Sequence, residues 1–163
     1  TGRAYIYFGG ASMNNVADVS MFGGAIADFF GASVSNAGDV NDDGYSDVII
    51  GAYGNNSSTG RAYIFYGGAS MNSTADVIMS GESTNNSFGY SVSDAGDVNG
   101  DGFADVYVGA YGYSSSKGRA YLYFSNSPVV NPRISSVKDV PFDQGGKVKL
   151  KWIRSGYDYL NQN

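Results

Sequence analysis

The 163-residue chain contains no cysteine, no histidine, only three prolines and a single glutamate, Glu82. Each shortage removes a class of chemistry. Without Cys no disulfide can brace the fold, so stability has to come from packing or from bound ions. Without His or Cys there is no Ser-His-Asp triad, no Cys-His dyad and no zinc finger. No apolar run approaches the about 18 residues of a membrane-spanning helix, and no secretory leader is visible. Basic residues are few, 10 against 15 acidic, and the net charge of −5 argues against nucleic acid as a partner. The chain opens on Thr1, which reads as a processed product or an excerpt of a longer polypeptide.

What is abundant points one way. There are 24 Gly and 14 Tyr, Val and Ser are frequent, and Leu and Lys are scarce, a balance that reads as all-β with many turns. A self-comparison organises the rest. Thr1-Gly2-Arg3-Ala4-Tyr5-Ile6 returns as Thr59-Gly60-Arg61-Ala62-Tyr63-Ile64 and again as Lys117-Gly118-Arg119-Ala120-Tyr121-Leu122, each 58 residues on. Residues 1–58 align on 59–116 without a gap at 37 identical positions, which a merely biased composition does not produce.

Each repeat holds short strand candidates divided by Gly, Asn and Ser. They are Phe88 to Ser93, Asp105 to Tyr111 and Gly118 to Phe124, with Ala75 to Met79 supplying a fourth in the preceding repeat. Four strands per period match one blade of a β-propeller. Val48-Ile49-Ile50 and Ala62-Tyr63-Ile64-Phe65-Tyr66 are apolar on both faces. A sheet with one solvated face would alternate, whereas sheets stacked between neighbours would not. No stretch has a capped 3.6-residue pattern, so essentially no helix is expected. Thr1–Gly23 would then be the outer half of one blade, residues 30–80 a whole blade and 88–124 three strands of another. That is an incomplete ring, whose open apolar faces require cover from a longer polypeptide or from neighbouring copies.

Between the first two strands of each blade lies an acidic loop. One copy is Asp39-Val40-Asn41-Asp42-Asp43-Gly44-Tyr45-Ser46-Asp47, the other Asp97-Val98-Asn99-Gly100-Asp101-Gly102-Phe103-Ala104-Asp105. Side-chain oxygens stand at loop positions 1, 3, 5 and 9, with Gly at 6; Tyr45 and Phe103 offer only a backbone carbonyl. This is a donor set for Ca²⁺, which prefers about six to eight oxygens, rather than for Mg²⁺, which keeps more water. Unneutralised, the clustered carboxylates would raise one another's pKa. An EF-hand would need Glu at position 12, where Ile50 and Val108 stand, and a dockerin loop would lead into a helix rather than a strand.

The order Phe-Gly, acidic loop, apolar strand, Gly-Ala resembles the FG-GAP repeat of integrin alpha-type propellers and of many secreted bacterial proteins. Phe30-Gly31 and Phe88-Gly89 match its opening, and Gly51-Ala52-Tyr53 and Gly109-Ala110-Tyr111 match its Gly-Ala-Pro close with Tyr in place of Pro. The resemblance covers residues 1–124. It implies a seven-bladed propeller with structural Ca²⁺ in the blade loops and protein partners. By position, the implied ligands are Asp39, Asn41, Asp43, the Tyr45 carbonyl and Asp47, then Asp97, Asn99, Asp101, the Phe103 carbonyl and Asp105.

Composition shifts after Phe124. Residues 1–125 carry 4 basic and 12 acidic groups, and 126–163 carry 6 and 3. Residues 125–132, with two prolines, read as an extended linker. In 133–163, Arg133 to Val140 and Lys147 to Ile153 are strand candidates joined through a turn at Asp143 to Gly146. Val148, Leu150 and Trp152 alternate with Lys147, Lys149 and Lys151, a pattern that resembles the opening of a fibronectin type III-like sandwich. The lysine row reads as a solvated face able to attract the acidic propeller of another copy. Asn-x-Ser/Thr occurs at Asn55, Asn56, Asn72 and Asn85, candidate glycosylation sites on an extracellular surface.

These features lead to a non-enzymatic, extracellular, calcium-stabilised structural or adhesion module, with protein partners or copies of itself and the option of assembling into a fibre. Two alternatives stand beside it. One is a lectin-like carbohydrate binder using Tyr53, Tyr111 and Tyr113. The other is the propeller part of a secreted hydrolase, although the clustered Asp residues are claimed by the loops, and nucleotide-binding and nucleophile motifs are absent.

Overall fold

The structure is a computed structural model that describes residues 1–11, 13–125, 134–139 and 148–152. It divides into two compact units, Thr1–Ser125 and Asn126–Asn163.

The first unit is a succession of antiparallel meanders. β1 (Arg3–Ile6) pairs with β2 (Val19–Phe22). β3 (Ser33–Gly38), β4 (Asp47–Ala52), β5 (Arg61–Phe65) and β6 (Val77–Ser80) form a four-stranded sheet in chain order. β7 (Phe88–Gly96), β8 (Asp105–Ala110) and β9 (Arg119–Tyr123) form a three-stranded one. This is the all-β arrangement of propeller blades expected from the repeat, and the described residues close no ring. The repeat holds in the hydrogen-bond register as well. Val48 lies opposite Phe65 and Ile50 opposite Tyr63. The pairs 58 residues on, Val106 with Tyr123 and Val108 with Tyr121, are likewise opposed.

The two-faced apolar strands find their explanation in the packing. Successive strand residues point to opposite faces. Ile49 and Ile64 enter one core cluster with Phe88, Val92, Val106 and Val108 of the next sheet. Their neighbours Ile50, Tyr63 and Phe65 enter a second cluster with Val19, Met21 and Phe30 on the other side. A strand with a sheet on each side has no polar face to keep. The sheets approach so closely that a Cβ on Gly51 would run into the Gly89 carbonyl, which is why the Gly-Ala-Tyr close begins with glycine.

One expectation needs amending. Two four-residue helical turns, Asn55–Ser58 and Tyr113–Ser116, join β4 to β5 and β8 to β9. They are not regular right-handed helix: Asn56, Ser57 and Ser58, and Ser114, Ser115 and Ser116, have φ between 48° and 67°. A left-handed turn has no amphipathic period, so no helical pattern announces it.

In the second unit, β10 (Ile134–Asp139) pairs antiparallel with β11 (Val148–Trp152), with Val137 opposite Leu150. The proposed linker, apart from Ser125, and the turn at Asp143 to Gly146 lie outside the described residues.

Candidate metal centre

Both acidic loops occupy the same place in their sheets, joining β3 to β4 and β7 to β8. Each is wound by its own side chains onto backbone amides. Asp39 Oδ1 and Oδ2 accept from the Asp43 and Gly44 N–H groups at 3.1 and 2.9 Å. Asn41 Oδ1 accepts from Asp43 N–H at 3.1 Å, and Asp43 Oδ1 from Tyr45 N–H at 2.9 Å. The second loop repeats this network: Asp97 accepts from Asp101 and Gly102 N–H at 3.1 and 2.9 Å, Asn99 from Asp101 N–H and Asp101 from Phe103 N–H, both at 2.9 Å. Side chains that bond two residues ahead favour this turn over a straight strand. Gly44 and Gly102 sit at φ +90° and +94°, a left-handed conformation that glycine adopts without a Cβ penalty.

The ninth loop position is different. Asp47 and Asp105 are fully buried. Asp47 Oδ2 accepts from Val40 N–H at 2.8 Å and Oδ1 from Gly67 N–H at 2.7 Å, tying the loop to the exit of β5. Asp105 does the same with Val98 at 2.9 Å and Ser125 at 3.0 Å. Burial pushes the Asp47 carboxyl above the ordinary aspartate value, the two backbone N–H groups pull it down, and the charges of Asp43 and Asp39 push it further up.

The structure thus brings Asp39, Asn41 and Asp43 into one hydrogen-bonded turn, and likewise Asp97, Asn99 and Asp101. Asn41 and Asn99 also donate their side-chain amides to Asp43 and Asp101, at 3.0 and 2.9 Å. Among the described residues no group of three or more His, Cys, Asp or Glu side chains is gathered closely enough to hold a metal. The donor chemistry nevertheless fits a hard divalent cation: every candidate side-chain donor is oxygen, and the buried Asp47 carboxylate lies near enough to Asp43 and Asp39 to feel their charges.

Two further aspartates escaped the sequence reading. Asp18 and Asp76 accept from Phe8 and Tyr66 N–H at 2.7 Å and clamp the loops after β1 and β5. Their own 58-residue spacing was the signal that could have found them. Of the glycosylation candidates, Asn56, Asn72 and Asn85 are exposed and Asn55 is partly covered, while Ser87, the hydroxyl residue of the Asn85 motif, is buried.

Comparison with known proteins places these features in a class. Residues 39–108, which run from the first acidic loop through the second to β8, match the FG-GAP-like repeat. Over 136 residues, 77% of this chain, it is 34% identical to integrin alpha-IIb of Mus musculus. Over 124 residues, 71% of the chain, it is 34% identical to integrin alpha-5 of Xenopus laevis. A shorter stretch of 88 residues is 40% identical to integrin alpha pat-2 of Caenorhabditis briggsae. The chain spans 13%, 12% and 7% of the lengths of these three proteins. Residues 39–108 are thus similar to the FG-GAP-like repeat, and longer stretches of the chain are similar to parts of integrin alpha chains.

Proposed function

We propose that the chain is a non-enzymatic, extracellular structural and adhesion module whose propeller repeats are held by Ca²⁺ and which meets protein partners. The observation that carries this is the duplication of one oxygen-lined loop, with the same hydrogen bonds, at corresponding positions of adjacent sheets. The ligands are Asp39, Asn41, Asp43, the Tyr45 carbonyl and Asp47 in one loop, and Asp97, Asn99, Asp101, the Phe103 carbonyl and Asp105 in the other. In this reading the ion is a cross-link in a chain without disulfides. It neutralises the carboxylates and fixes the loop that joins two strands. The similarity to integrin alpha chains supports the adhesive role and the extracellular setting. Residues 1–124 would be the propeller part, 125–132 a linker and 133–163 the opening of a fibronectin type III-like domain. Glycans at the exposed Asn56 and Asn72 would suit such a surface.

Thermal melts with calcium and with chelator test the proposal. A ligand bound only by the folded state stabilises it by about 1.4 kcal/mol per loop when free calcium is ten times Kd. Asp43→Ala and Asp101→Ala should each remove one such increment, over and above the about 0.5–1 kcal/mol that the lost amide bonds cost in chelator. Identical melts in calcium and chelator, with no calcium found by elemental analysis, would sink the metal assignment.

A further inference from the structure

The two acidic loops share a hydrogen-bond network but differ at their fourth position. The first has Asp42 there, at φ 57°, and the second has Gly100, at φ 76°. Asn99-Gly100 is the single Asn-Gly pair in the sequence. Both residues are exposed, and a Cβ placed on Gly100 would meet nothing within 4 Å. In such a pair no side chain shields the backbone nitrogen that follows the asparagine. That nitrogen can attack the side-chain carbon and close a five-membered ring.

We propose that Asn99 is a site of spontaneous deamidation and isoaspartate formation, prepared by the hydrogen bonds of the second loop. Gly100 lies between β7 and β8, outside the strand ladders. Its N–H donates to Asp97 Oδ1 at 2.7 Å, so no sheet hydrogen bond breaks when the nitrogen attacks. Asn99 Oδ1 accepts from Asp101 N–H at 2.9 Å, which folds the carboxamide back along its own loop. The same N–H is a donor already aimed at the oxygen on which negative charge builds during attack. In the first step Gly100 N loses its proton to solvent and bonds to Asn99 Cγ. Nδ2, which donates to Asp101 Oδ2 at 2.9 Å, takes a proton from water and leaves as ammonia. Water then opens the succinimide. Opening at the side-chain carbonyl leaves an ordinary aspartyl residue; opening at the main-chain carbonyl leaves an isoaspartyl residue, with the main chain one methylene longer. Either product adds a negative charge to a loop that already carries Asp97, Asp101 and Asp105. The first loop is the internal comparison. Asp42 sets a Cβ beside the corresponding nitrogen, and its charge disfavours loss of the amide proton, so Asn41 is spared.

The repeat makes the test direct. Trypsin, cutting after Arg3, Arg61 and Lys117, places Asn41 in the peptide 4–61 and Asn99 in 62–117. The full chain is held folded in mildly alkaline buffer with chelator, sampled over time and digested. Peptide 62–117 should exchange one NH₂ for OH and become a substrate for isoaspartyl methyltransferase, with fragment masses placing the change at Asn99. Asn41 should stay intact. Gly100→Asp, which installs the residue the first loop carries there, should slow the reaction at Asn99 about tenfold or more. Absence of isoaspartate at Asn99, equal rates at Asn41 and Asn99, or an undiminished rate in Gly100→Asp overturns the proposal. The chain unfolded in urea is the second comparison: a rate at Asn99 many times higher there than in the folded chain overturns it too, because the loop would then be a shield. Deamidation needs no calcium, so isoaspartate at Asn99 in a chain whose melt ignores calcium would sink the metal assignment alone.

Discussion

Asp47→Ala separates the architectural use of the acidic loop from its ionic use. Asp47 is fully buried and accepts from Val40 and Gly67 N–H groups, so alanine leaves two interior donors unpaired. An unsatisfied buried donor costs about 1–3 kcal/mol, which makes about 2–6 kcal/mol for the pair. Removing a carboxylate whose charge burial already disfavours offsets part of this, so the lower half, about 2–4 kcal/mol, is expected. Against a domain stability of about 5–15 kcal/mol the variant should still fold. With a urea m-value of about 2 kcal/mol/M, the midpoint should fall by about 1–2 M in chelator. Asp43→Ala is the comparison: Asp43 is exposed and its partners can turn to water, so its loss in chelator should be about 0.5–1 kcal/mol. Equal losses for the two variants, or no loss for Asp47→Ala, would refute the argument that the ninth position holds the blade together through buried amides.

Three further outcomes follow from the packing and the electrostatics. Phe88→Ala empties a fully buried site between the second and third sheets and should lower stability by about 3–5 kcal/mol, read from denaturant midpoints. Gly51→Ala places a methyl group against the Gly89 carbonyl and should cost about 1–3 kcal/mol or more, whereas Ala52, its neighbour, already carries one. In chelator, pH should act through Asp47. Its folded pKa is raised, chiefly by burial, so its contribution is present below the unfolded value of 3.8 and lost as pH rises through the folded value. Stability in chelator should therefore gain from this residue on acidification from about pH 7 toward about pH 4, and Asp47→Asn should abolish that gain; parallel pH profiles for the two proteins would refute it. Bound calcium would reverse the sign, because protons would then compete with the ion.

Much of this arrangement is written in the order of residues. The 58-residue period is a local fact of the chain, and because strand register follows side-chain alternation, closely similar segments such as Arg61 to Phe65 and Arg119 to Tyr123 pair in corresponding registers. Apolar residues on both faces of Val48 to Ile50 are enough to demand a sheet on each side. The Asx-type turns of the acidic loops are equally local, since Asp39, Asn41 and Asp43 bond amides two to five residues ahead. The left-handed serine turns were not legible, for they depend on closing a short connection between strands already placed by packing. Nor were the partners of Asp47. Gly67 N–H is 20 residues away, and only the sheet brings it to the carboxylate. Repeat, strand identity and loop chemistry are short-range properties that each segment carries with it. Which edges and faces are covered is a property of assembly, settled when apolar surfaces far apart in the chain compete for the same neighbours.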